Sequence, residues 1–440
     1  MSTGTDLGHL LRERSIIICC GSGGAGKTTT SAAVALAGAF AGRKACVVTI
    51  DPARRLADAL GVGALTNEPK RIEGPWPGEL SAVMLDAKRT FDDLVERYSA
   101  DPEQAERILT NRLYRNLTSA LAGTQEYMAA EKLYELNASG EFDLVVVDTP
   151  PTRNALDFLD APGRLTRFLE NRLFRLLLMP TRASLRALTM ATQALLRTIS
   201  KVAGSEIVED AIAFFRAFDG MEEGFRERAR GVEALLSDPG TAFVLVAAPR
   251  RDSVAEARFF ADRLAEAHQP VAALVVNRLH PDFRGGEAAL DATDGASPSA
   301  EPEPEPAASV PADSGPAASE PAHSRPAASE PAHSRPADSE LADSDAADSA
   351  SAASEPAEMR AAGRSGIRQR AAVEALAGLR QNLADLQGLA DQEREYLGTL
   401  ESRIEGAVVK VPYLSKDVHD LESLGLVAEC LTGQVLSGRA

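Results

Sequence analysis

What this sequence lacks narrows its chemistry before any motif is read. Four cysteines in 440 residues, with no C-x-x-C pair, exclude a disulfide framework and leave a thiolate zinc clip nothing to build on. Cys19, Cys20 and Cys46 fall in apolar, strand-like runs and Cys430 stands alone, the pattern of small buried residues in a reducing compartment. Long hydrophobic runs are missing too. The greasiest stretch, "LFRLLLMP", is interrupted by Arg175 and ends at Pro180, far short of the roughly 20 apolar residues that span a bilayer. The start, "MSTGTDLGHLLRERS", has no apolar core for a secretion machinery to read, so a cytoplasmic location is expected. Positive charge is also in deficit. A formal net charge of -17 argues against non-specific binding of nucleic acid or anionic membrane, and no nucleic-acid partner is expected.

What is present is ordinary for a soluble globular chain: 44% hydrophobic and 25% charged residues, enough for a large core. Short β-branched runs recur, namely "SIIICC" from Ser15, "ACVVTI" from Ala45, "LSAVML" from Leu80, "FDLVVVD" from Phe142, "AFVLVAA" from Ala242, "VAALVVN" from Val271 and "AVVKV" from Ala407. Most are continuous rather than alternating, as in strands buried on both faces, and helix-like segments separate them. The expectation is an α/β fold: a mostly parallel sheet flanked by helices. Two helically patterned insertions, about 90–137 and 157–236, should pack as a subdomain, because Leu165, Phe168 and Leu169, and again Phe214, Phe215 and Phe218, recur at helical spacing. Such stripes are usually core; a groove for a hydrophobic client is the sharper alternative. Residues 285–362 differ in kind. Their near-exact repeat "PAASEPAHSRPAASEPAHSRPADSE" offers nothing large to bury and reads as a disordered linker, with His323 and His333 part of the repeat. A helical stretch, Arg364 to Leu400, and a last strand follow.

The chemistry concentrates in "CCGSGGAGKTTT", Cys19 to Thr30. Gly21, Gly26, Lys27 and Thr28 satisfy G-x-x-x-x-G-K-[ST], with a strand before and an alanine-rich helix after. Glycines let the backbone wrap a phosphate and turn N–H groups toward it. Lys27 would reach the β- and γ-phosphates of ATP, and the Thr28 hydroxyl would bind Mg²⁺. Two further strand ends supply acids: Asp51 in "VVTIDPARRLADAL" and Asp148 in "LVVVDTPPTRNALDFL". An Asp before Pro is also a helix cap, so Asp51 alone is ambiguous. Nucleotides bind beyond the carboxyl ends of such strands, and the convergence of three motifs on one edge favours a functional reading for both acids.

With these residues in place the chain resembles the arsenical-pump ATPases and their relatives that target tail-anchored membrane proteins, P-loop ATPases with a deviant Walker A loop. The resemblance covers about 14–284 and 364–431, read together as one ATPase domain with an inserted helical subdomain. It implies that Gly21, Ser22, Gly23, Gly24, Ala25, Gly26, Lys27, Thr28 and Thr29 bind the phosphates, that Asp51 in "DPARRLADA" positions the attacking water beside catalytic Lys27, and that Asp148 in "DTPPTRNALDFLDAP" takes a magnesium-linked role through water. "VVNRLHP" is similar to the strand end that reads adenine, which falls on Asn277, otherwise a polar strand terminus. "KVPYLSKDVHDLESL", with Pro412, resembles the loop that closes over the base.

The departures are specific. Ser22 stands where the family carries a lysine that reaches across a dimer, and Arg250 in "APRRDSVAEA" stands where it commonly has a glutamate. The metalloid-binding cysteines and the zinc pair of the two branches are missing, which argues against arsenite transport and zinc-clipped homodimerisation. The expectation is an ATP-hydrolysing dimer that couples nucleotide state to opening and closing, pairs with a lysine-bearing paralogue and handles a protein client through the helical subdomain, where Leu176 to Leu178, Met179 and Met190 lie. Arg54 or Arg55 could substitute for the missing cation. The alternatives are the energising subunit of a membrane transporter and a slow homodimeric or partitioning-type ATPase.

Overall fold

The computed structural model describes residues 7–51, 55–115, 124–150, 157–170, 205–284, 357–414 and 416–435. Residues 285–356 of the linker expected at 285–362, Arg54, and the Leu176–Met179 and Met190 surface lie outside the described residues, while 357–362 are helical rather than linker. The chain divides into two compact units: Met1–Phe283 with Asp385–Ala440, and Arg284–Ala384.

The first unit is built on an eight-stranded sheet in the order β3-β4-β2-β5-β1-β6-β7-β8. The strands are β1 (Ile16–Gly21), β2 (Lys44–Thr49), β3 (Lys70–Ile72), β4 (Glu79–Met84), β5 (Leu144–Asp148), β6 (Thr241–Ala247), β7 (Val271–Leu279) and β8 (Ala407–Pro412). All seven apolar runs are strands, and every pairing among them is parallel. The eighth strand, β3, is a three-residue antiparallel edge piece on β4. β1, β2, β5 and β6 are central and almost wholly buried, so their Val, Ile, Ala and Cys side chains alternate between two cores rather than between core and water.

One face packs against α1 (Leu7–Glu13), α2 (Lys27–Phe40), α3 (Arg55–Ala59) and a C-terminal helix over Leu421–Thr432, through Ile17, Cys19, Val47, Val146 and Val244. The other face, with Ile16, Ile18, Val48, Val147 and Leu245, packs against the helices over Thr124–Ala138, Glu222–Leu236 and Arg251–Glu266 and the end of the helix over Ala357–Glu401. In chain order the remaining helices are α4 (Ala87–Tyr98), α5 (Pro102–Leu109), α6 (Thr124–Ala138), α7 (Asp157–Glu170), α8 (Ser205–Phe218), α9 (Glu222–Leu236), α10 (Arg251–Glu266), α11 (Ala357–Glu401) and α12 (Leu421–Thr432).

A third core is made by helices alone. Phe91, Tyr98, Tyr114, Phe214, Phe218 and Phe225 bring their rings together at centroid spacings of 5.1 to 6.4 Å. Leu94, Ile108 and Met128 fill the gaps between them. The α4 helix is fixed here by Asp86, which caps it by accepting the Arg89 N–H at 3.0 Å.

The thiols are inert packing. Cys19, Cys20 and Cys46 are buried and free, and burial pushes each thiol pKa up to about 12. Within the second unit, Val373 and Leu379 of α11 are exposed.

Candidate functional site

The carboxyl ends of β1, β2, β5, β6, β7 and β8 share one edge of the sheet, and every site residue expected from the sequence stands at that edge or in the loops and helix leaving it. β1 delivers the chain into the loop Ser22–Gly26, and α2 begins at Lys27. Two glycines are sterically required. A methyl group at Gly21, where φ is +149°, would lie 2.0 Å from the Val246 carbonyl oxygen. One at Gly26, where φ is +91°, would lie 2.0 Å from Asn277 Nδ2. Gly26 is also the N-cap of α2 and offers no side chain, so the first-turn N–H groups of α2 receive no side-chain cap. Gly23 and Gly24 form the exposed crest of the loop, while Ala25 is buried.

Lys27 is buried and folds back onto its own loop, donating to the carbonyls of Gly21 at 3.1 Å and Ser22 at 3.0 Å. Burial lowers its pKa, opposed by the nearby Asp148, Cys20, Glu256 and Asp51. Thr28 donates to Asp148 Oδ2 at 2.7 Å, and Thr49 of β2 donates to the same oxygen at 2.8 Å. The other oxygen, Asp148 Oδ1, is buried without a hydrogen-bond partner. Burial raises the Asp148 pKa from 3.8 to about 6 despite the Thr28 and Thr49 hydrogen bonds and Lys27. An orphaned carboxylate oxygen beside a threonine hydroxyl is an all-oxygen donor set suited to Mg²⁺, whose positive charge would give this oxygen the partner it lacks. Asp51 follows β2; its N–H donates to Thr49 Oγ1 at 3.3 Å, and its carboxylate lies 3.7 Å from Arg55.

Ser22 points inward rather than out from the loop. It is 3% exposed, and its hydroxyl meets that of Ser253, on α10, at 2.5 Å. Ser253 also accepts the Ala248 N–H at 2.9 Å, so its hydroxyl joins the start of α10 both to the end of β6 and to the phosphate loop. Sequence reading missed Ser253 and Glu256. The signal available was the three-residue spacing of Ser253 and Glu256, which sets both along one face of α10 just after the N-cap Arg250.

Asn277 ends the buried part of β7 and donates to the Ala25 carbonyl at 3.0 Å, bracing the loop from behind. It also lines a cavity of about 370 Å³ with Thr29, Arg278, Pro412, Tyr413 and Lys416. Arg278 reaches this rim because its backbone is left-handed, φ +64°, where the β7–β8 register shifts. Tyr413 stacks on His280 at 5.2 Å, and His280 is held by Glu393 of α11 at 2.8 Å. Asn277, Pro412 and the terminal loop are therefore brought together next to Thr29.

A sequence model of the anion-transporting ATPase family matches residues 14–289. The chain belongs to that family. It is 32% identical to the ATPase GET3 of Malassezia globosa over 165 residues, which is 37% of this chain and 47% of that protein. It is 27% identical to the ATPase get3 of Schizosaccharomyces japonicus over 276 residues, 62% of this chain and 78% of that protein. It is 24% identical over 273 residues to a protein named as an arsenical pump-driving ATPase 1 in Aquifex aeolicus, covering 61% of this chain and 64% of that one. The match to the first of these relatives thus spans about half of its length. The family's fold, a mostly parallel sheet flanked by helices, is the one seen here. Among the described residues no helix is long and apolar enough to cross a membrane.

Proposed function

We propose that this chain binds magnesium and ATP at the β1–α2 loop and hydrolyses ATP to ADP and phosphate, as its family membership and the named relatives suggest. The observation that carries the reading is the buried, half-satisfied Asp148: one oxygen is clamped by Thr28 and Thr49, and the other is unpartnered. Thr28 directly, and Asp148 through water, would hold the Mg²⁺, which neutralises phosphate charge when bound.

The chain's own residues divide the work. The N–H groups from Ser22 to Thr29 face the phosphates, and Lys27 exchanges its two loop carbonyls for phosphate oxygens. Asp51 holds the attacking water, with Arg55 orienting its carboxylate. The cavity beside Thr29, between Asn277 and Pro412, takes the adenine.

Nucleotide state would open and close a dimer and so alter the helical layer offered to a hydrophobic protein client. The Ser22 hydroxyl is buried and turned to Ser253, and it carries no charge, so a lysine-bearing paralogous subunit is the proposed source of the cation across that dimer. Such an added cation is worth about 10³ to 10⁵ in rate where measured. The test is steady-state ATP turnover by the purified chain, by Lys27→Ala, and by the chain with whatever relative co-purifies from its host. Slow turnover that depends on Lys27 and rises with the relative supports the reading. Turnover indifferent to Lys27 removes the ATPase, and full speed in the chain alone removes the partner.

A further inference from the structure

The parallel pairing of β1 with β6 sets Gly21 opposite Val246, so the segment leaving β6 runs beside the phosphate loop. Three residues at three-residue spacing there address the loop. Ser253 bonds Ser22, Glu256 lies close enough to act on the Lys27 ammonium, and the Arg250 guanidinium lies 3.9 Å from where a side chain on Gly24 would begin. Arg250 is not spent on a strong ion pair: Asp252 approaches only to 3.8 Å, and the two side chains are 59% and 76% exposed. Its backbone is nonetheless fixed, because the carbonyl accepts the Val254 N–H at 2.9 Å and the Ser253 hydroxyl holds both the Ala248 N–H of the turn and Ser22 of the loop.

We propose that Arg250 is a phosphate-reading residue acting within the chain, its guanidinium at the Gly24 crest binding the terminal phosphate of a nucleoside triphosphate and so favouring triphosphate over diphosphate. This rests on the nucleotide reading above. The cavity for the base is lined by Thr29 and Asn277, at the α2 end of the loop, whereas Gly24 stands at the exposed crest before it. The group nearest Gly24 is therefore the one farthest from the base. A guanidinium suits that place, since its planar fork meets two phosphate oxygens at once and it stays charged. Arg55 is turned instead to Asp51.

The experiment is equilibrium binding of magnesium-ATP and magnesium-ADP to the full chain without turnover, using wild type, Arg250→Ala, Arg250→Lys and Arg263→Ala. Arg263, paired with Glu266 at the far end of α10, is the control. Arg250→Ala should weaken ATP binding by about 10- to 100-fold, the loss of a charge-assisted contact, and leave ADP within about threefold. Arg250→Lys should recover part of the difference, and Arg263→Ala none of it. An unchanged ATP-to-ADP ratio in Arg250→Ala overturns the assignment, and so does an equal loss of both nucleotides. Failure of the wild type to bind either nucleotide sinks the nucleotide reading itself and this assignment with it.

Discussion

The sheet and the helical layer are held together by different chemistry. Around the sheet the core is Val, Ile, Leu, Ala and buried Cys, small side chains that let strands and helices approach closely and leave the loops at the strand ends free to carry polar groups. The helical layer over α4, α5, α6, α8 and α9 is an aromatic cluster whose members come from positions more than 120 residues apart, such as Phe91 and Phe225. Aromatic rings meet edge to face or offset and tolerate several arrangements, whereas the aliphatic sheet has one register. The difference marks two kinds of attachment: the phosphate loop is bolted to β7 through Asn277 and to α10 through Ser253, and the helical layer is held by aromatic packing together with polar contacts such as Gln104 to the Ala217 carbonyl and Arg228 to Glu131.

The largest expected effect lies in the helical layer. Phe225→Ala, removing a ring that touches Phe91, Tyr98 and Phe218, should lower unfolding free energy by about 3 to 5 kcal/mol, read by denaturant melts. ATP affinity near wild type in that variant, measured under folding conditions, would confirm that the two regions are energetically separable.

Next comes the loop itself. Gly26→Ala places a methyl on Asn277 Nδ2 in a left-handed backbone. Unfavourable conformation and a lost loop brace should together cost about 2 to 3 kcal/mol. ATP affinity should fall with it, unlike the helical-layer variant.

A third expectation concerns pH. The Asp148 carboxyl, with its pKa raised to about 6 in the fold against 3.8 ordinarily, binds an extra proton in the folded state between those values. Nucleotide-free stability from this group is thus fully present at low pH and is lost as pH rises from about 4 through 6. Denaturant unfolding at pH 5 and pH 7.5 with chelator present should show a smaller loss in Asp148→Asn than in wild type. The smallest effect belongs to α11 in the second unit: Leu379→Ala, at a position 56% exposed, should shift stability by less than about 0.5 kcal/mol.

Much of this is legible in the sequence. The strands announced themselves because continuous β-branched runs between turns have few other uses, and the phosphate loop because its glycines and Lys27 are contiguous. β3 escaped because "KRI" carries one apolar residue and pairs antiparallel at an edge. The helix expected from Arg364 begins seven residues earlier, at Ala357, where alanine-rich sequence gives no clear cap. Ser22 shows the limit most sharply. Its identity pointed to a missing cation, but the direction of its hydroxyl depends on Ser253, 231 residues away, and only parallel pairing of β1 with β6 brings the two together. The same holds for Asn277: resemblance assigned it to adenine, whereas its amide is also the brace behind Ala25.

Asp148 and its unpartnered oxygen are the centre of the proposed nucleotide site. The most direct measurement is ATP affinity with magnesium and with chelator, in wild type and in Asp148→Asn. The prediction is that magnesium tightens ATP binding to the wild type by about tenfold or more, and that Asp148→Asn abolishes most of that gain while still binding ATP. Full magnesium dependence in Asp148→Asn, or none in the wild type, would contradict it.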